Sequence, residues 1–95
     1  MAIYLIIEVT RVKDAAQYQR YAEVARAIIE KHHGEYLIRT RDIQLVTGTT
    51  KSERLILVKF PDEQTAKTCF DAVEYCKLTP LREQAVESRA FIVNS

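Results

Sequence analysis

Ninety-five residues are enough for a single domain spanning 1–95, and so short a chain gains from a partner subunit that helps cover its apolar surface. Lys and Arg number 14 against 13 Asp and Glu, a formal charge of +1, which leaves no basic stripe for nucleic acid. No window approaches the ~20 apolar residues of a membrane span, and MAIYLIIEVT lacks the basic start and small-residue cleavage site of a signal peptide, so the expected location is the cytoplasm.

Residues Ile3 to Thr10 alternate, with Ile3, Leu5, Ile7 and Val9 on one face and Tyr4, Ile6 and Glu8 on the other. Most of both faces is apolar, as in a strand covered on both sides. Asp14 is a good N-cap, and Gln17 three residues later completes a capping-box pattern. The helix that follows carries Tyr18, Tyr21, Ala22, Ala25, Ile28 and Ile29 on one stripe and Gln19, Glu23, Arg26 and Glu30 opposite. Lys31, His32 and His33 fall in its last turn, where positive charge suits the macrodipole, and Gly34 is the expected left-handed stop. Residues 35–47 read as one long bent strand, or two short ones interrupted at Asp42, with Tyr36 and Ile38 facing away from Leu37 and Arg39. Residues 48–52 form a loop.

Arg54 to Phe60 is the third strand, with Leu55 and Leu57 on one face and Ile56, Val58 and Phe60 on the other. Pro61 ends it, since proline cannot donate to a ladder. Asp62 caps a second helix whose stripe is Ala66, Cys69, Phe70 and Val73. Thr79-Pro80 reads as a cap followed by a first-turn proline, so a further helical piece is expected over roughly 80–87. Arg89 to Val93 is the closing strand. Strand, helix, strand, strand, helix, strand is the ferredoxin-like βαββαβ plan, an α+β fold. Right-handed crossovers place both main helices on one face of a four-stranded antiparallel sheet. Nothing in the chain then remains to cover the other face, and a second copy in a closed two-fold pairing is the simplest cover. Two facing sheets make a dimeric α/β barrel.

The segments DAAQYQRY (14–21), GEYLIR (34–39) and ERLILVKFP (53–61), with Glu74-Tyr75 and Leu81-Arg82, resemble a widespread bacterial family, the domain of unknown function numbered thirteen-thirty, of the dimeric α/β-barrel superfamily. The resemblance covers nearly the whole chain and implies a ferredoxin-like homodimer, without an agreed activity. Superfamily relatives include cofactor-independent monooxygenases and lactone isomerases, so any enzyme reading rests on analogy of fold. The chain departs from the family pattern at Thr40-Arg41, which replaces a Gly-Gly turn, and at Gln44 and Thr47, which replace acidic residues. Phe70 stands for a tyrosine and Ala72-Val73 for Ser-Pro.

No residue pattern names a catalytic group. His32 and His33 point about 100° apart on a helix and have no third ligand at metal spacing, so neither metal nor cofactor is expected. Cys69 and Cys76 would lie about 10 Å apart on one helix, which predicts free thiols. Tyr18 leads the apolar stripe and offers a phenol to a pocket beneath it; the plainer reading is a core tyrosine with its hydroxyl at the rim. Arg39, on a rigid strand, has a fork that matches a small carboxylate; the plainer reading is an ion pair with Glu8 or Glu74. Tyr75 is a third candidate ligand contact, or a packing anchor. The function expected is a small homodimeric protein with a small-molecule pocket between helices and sheet, taking a small organic acid through Tyr18, Arg39 and Tyr75. The alternative is a non-catalytic dimeric binding or interaction module. An RNA-binding sheet ranks last, because the strands offer aliphatic residues where stacking aromatics are needed.

Overall fold

In the computed structural model, which describes residues 2–95, β1 (Ile3–Val12) leads into α1 (Ala15–Lys31). The Asp14 carboxylate accepts hydrogen bonds from the backbone N–H of Gln17 at 3.1 Å and from its side-chain amide at 2.9 Å, so the first turn is capped as its sequence dictates. At the other end the expected left-handed glycine is instead His33, with φ of 70°. Gly34 is small for a different reason: a Cβ there would run into Ile29 and crowd Val58. The chain enters the sheet in contact with the helix that it has just left.

β2 (Glu35–Thr40) is shorter than the long bent strand expected. It lies at the sheet edge and pairs only with β3 (Arg54–Phe60), where Thr40 already faces Leu55. Beyond Thr40 almost no strand remains to pair with, and the Thr40 hydroxyl accepts the Asp42 N–H at 3.0 Å and turns the chain. Residues 41–53 then run without helix or strand. Within β2 the register shifts: Tyr36 opposes Val58, Ile38 opposes Leu57 and Arg39 opposes Ile56. Leu37 is the extra residue of a β-bulge. Arg39 therefore shares a face with Tyr36, whereas strict alternation had placed them on opposite faces.

α2 (Glu63–Asp71) is capped by Asp62, whose carboxylate accepts the Thr65 N–H at 2.7 Å. It ends at Ala72, which is extended at ψ 136°. That break turns Val73 out of the expected stripe to 69% exposure and starts the single turn α3 (Val73–Cys76). α4 (Thr79–Ala85) begins one residue earlier than expected, after Leu78, with Pro80 inside its first turn and no side-chain cap. The Ala85 carbonyl accepts the N–H groups of Lys13 and Asp14 and ties the end of α4 to the start of α1. β4 (Val86–Asn94) follows directly, three residues ahead of the expected start.

The sheet order is β2-β3-β1-β4 with every pair antiparallel, a ferredoxin-like α+β fold. The helices cover the face carrying Ile3, Leu5, Val9, Ile56, Val58 and Phe60, all buried. The opposite face presents Tyr4, Ile6, Leu55, Leu57, Ile38, Phe91 and Val93 with no layer over it. The molecule measures 34 × 29 × 16 Å, the proportions of a slab with one sheet and one layer of helices. Among the described residues no helix is long and apolar enough to cross a membrane.

Candidate functional site

Helical spacing sets Tyr18, Ala22, Ala25 and Ile29 of α1 toward the sheet. The alanines are too short to fill the layer, and the sheet answers with Ile7, Val9 and Ile56, leaving a cavity of about 30 Å³. That is room for a water molecule or a group of similar size. Around the apolar floor stand Tyr18, Tyr21, Tyr36, Arg39 and Ser88. The bulge at Leu37 places both Tyr36 and Arg39 on this side. Tyr18 is 5% exposed, and its hydroxyl has no hydrogen-bond partner among the described residues. A buried polar group left unpaired costs about 1–3 kcal/mol and is uncommon in native interiors.

The electrostatics are those of neutral phenols beside guanidinium groups. Burial raises the pKa of Tyr36 well above that of a free phenol, with Tyr21 adding to the effect. Burial raises Tyr21 and Tyr75 as well, with Arg82 pulling each back in part. At neutral pH these phenols stay protonated and serve as hydrogen-bond donors. The Arg26 guanidinium lies 4.6 Å from the centre of the Tyr36 ring and the Arg54 guanidinium 5.1 Å from that of Tyr18, both within cation–π range. Among the described residues no His, Asp, Glu, Cys or Lys lines the cavity. It can hold an acceptor and balance a negative charge, but it offers no group poised to take a proton.

The cavity brings Tyr18 and Arg39 together, while Tyr75 lies outside it, in an adjoining groove with Tyr21, Arg82, Ser88 and Ala90. The Tyr75 ring meets Phe70 edge to face at 5.1 Å. Neither ion pair considered for Arg39 forms, since Glu8 takes Arg89 at 3.0 Å and Glu74 takes His32 at 3.0 Å and Lys31 at 3.4 Å. The hydrogen bond from His32 lowers the Glu74 pKa. Sequence reading missed Tyr36, which the bulge hides, and Arg54, which strict alternation with Ile56 would have revealed. Among the described residues no group of three His, Cys, Asp or Glu could hold a metal ion. Cys69 and Cys76 are both free, and burial pushes the Cys69 thiol up to about 11.

Residues 2–95 match the model of a family described as "Domain of unknown function (DUF1330)". Among solved structures, the chain is similar to a protein of unknown function from Rhodopseudomonas palustris (TM-score 0.81, 15% identity, covering 97% of this chain and 80% of that one). It is also similar to SnoaB, a cofactor-independent oxygenase from Streptomyces nogalater (0.69, 9%, 99% and 92%). A third similar structure is a dimeric ferredoxin-like protein of unknown function from Jannaschia sp. CCS1 (0.69, 10%, 100% and 100%). At such identities the likeness is one of fold. No curated protein matches the sequence.

Proposed function

We propose that this chain, which belongs to the DUF1330 family, is a homodimeric α/β-barrel protein that binds the carboxylate of a small organic acid between α1 and the sheet. The observation that carries the ligand reading is the Tyr18 hydroxyl, buried without a partner among the described residues, with Tyr21, Tyr36 and Arg39 lining the same cavity. A carboxylate supplies what is missing: one oxygen accepts from Tyr18, and the charge is met by Arg39 at the rim. The fork of a guanidinium matches a carboxylate in geometry as well as charge. The reading is one of binding, since the cavity holds donors but no base.

The dimer rests on the uncovered sheet face. Its apolar residues surround one internally balanced pair, Glu8 with Arg89, and Lys59, opposite Tyr4 and Glu35 at the end of β3, is the charge that a second copy meets there. The slab is 34 × 29 Å across, wide enough for the ~800 Å² per partner that a stable interface buries. The similar protein from Jannaschia is described as dimeric. A single experiment addresses both parts. Wild type and Arg39→Met are screened by thermal shift against small monocarboxylic acids, and their masses are measured by light scattering. The expected result is a dimer in each case, with an acid that raises the melting temperature of wild type and not of the variant. Absence of any active acid sinks the ligand reading, and a monomeric wild type sinks the dimer.

A further inference from the structure

Beyond the cavity, the beginning of α1, the end of β1 and the loop before β3 enclose an open groove of about 750 Å³. Its walls carry Lys13, Arg41, Lys51 and Arg54 against one carboxylate, Glu53. That carboxylate is already engaged, accepting the Val12 N–H at 2.7 Å. Among the described residues the ion pairs of Arg11, Arg26, Lys31 and Arg89 take up other acids, and none involves the four groove cations. The concentration is local, because the whole chain carries only +1. Arg54 marks the inner wall: the residue is half-buried, and its Nε is buried with no hydrogen-bond partner among the described residues. Like charges crowded round one concavity repel, and a bound anion relieves them.

We infer that this groove is a binding site for a compact dianion, either the phosphate of a monoester or a short dicarboxylate, whose shared chemistry is two negative charges on a cluster of oxygens. Arg54 is the inner contact. Its guanidinium lies over the Tyr18 ring at 5.1 Å, and the residue lines the groove. Arg41 and Lys51, exposed on the loop before β3, close on the anion from outside. The groove adjoins the acid-binding cavity where Arg54 lies over the Tyr18 ring, but none of its four cations lines that cavity.

The test is calorimetric titration of the full chain with inorganic phosphate, with succinate, and with acetate as the monoanion, at about pH 8, above the second ionisation of a phosphate monoester near 6. The proposal expects phosphate or succinate to bind at millimolar concentration or below, and acetate at least about tenfold more weakly. Whichever dianion binds tighter identifies the head group. The Arg41→Ala/Lys51→Ala variant, altered only at exposed loop positions, should lose roughly tenfold or more in dianion affinity. A Lys67→Ala/Lys77→Ala variant, which removes the same charge elsewhere on the surface, should bind as wild type does. Raising salt from about 0.1 M to about 1 M shortens the screening length from about 10 Å to about 3 Å and should weaken binding. The inference is overturned if neither dianion binds, if acetate binds equally well, or if the two double variants behave alike. The acid-binding reading is judged separately, by Arg39→Met and monocarboxylic acids.

Discussion

Between the helices and the sheet, the end under α2 differs from the end under the first half of α1. Under α2, Val58, Phe60, Ala66 and Cys69 have no exposed surface, and Phe70 meets Phe60 edge to face at 5.8 Å. Every group there is apolar or small, and no buried side-chain polar atom of the described residues is left unpaired there. Under α1, tyrosines and arginines replace the aliphatic residues, two alanines leave a gap, and two polar atoms, Tyr18 Oη and Arg54 Nε, lie buried without partners. One half of the layer serves stability and the other retains unmet hydrogen-bonding capacity. Substitutions at the first end should therefore be read in melting temperature, and those at the second in binding.

The largest effect is expected at Val58. Val58→Asp places a charge where the native side chain is fully buried, at a cost of about 3 kcal/mol or more. For a domain of this length that lowers the melting temperature by roughly 15 °C or abolishes cooperative unfolding, which calorimetry would register. A near-native transition would mean that the closed end tolerates water as the open end does. Gly34→Ala comes next. Its Cβ would press on Ile29 and Val58, and overpacking of this kind costs about 1–3 kcal/mol. Chemical denaturation should show the midpoint falling with an unchanged slope. If the midpoint does not move, the junction of α1 and β2 is looser than its contacts indicate.

The smallest effect on stability is expected at Tyr18, although the residue is nearly as buried as Val58. Tyr18→Phe removes a hydroxyl that pairs with no described residue, so stability should hold or rise by about 1 kcal/mol, while any acid-dependent thermal shift is lost. A loss of stability greater than about 1 kcal/mol would reveal a hidden partner for the hydroxyl and erase the contrast between the two ends.

What was legible in the sequence was local. The caps at Asp14 and Asp62, the stripe from Tyr18 to Ile29 and the two-faced strand from Arg54 to Phe60 each depend on residues close in the chain. What was not legible depends on neighbours distant in sequence. β2 stops at Thr40 because β3 begins only at Arg54, and Gly34 is required by Ile29 and Val58 rather than by its own backbone. Val73 leaves the stripe because α2 breaks at Ala72. At the candidate site, Tyr18 could be placed from helical period alone. Arg39 was singled out with its strand parity misassigned, since one extra residue in β2 turns it toward Tyr36. Tyr75 lies beside the cavity rather than in it, because α3 sets it against Phe70.

That extra residue bears on how such a protein changes over generations. With a continuous register, Ile38 would oppose Ile56 and point at the cavity, and Arg39 would lie on the uncovered face. The same six residues of β2 thus encode two pockets, one apolar and one basic, separated by a slip of a single position. The uncovered face supplies the selection between them, because in that register an arginine there would sit among Leu37, Leu55 and Leu57. A one-residue insertion or deletion at the sheet edge therefore exchanges a basic side chain for an apolar one beside the cavity, leaving the closed end under α2 untouched.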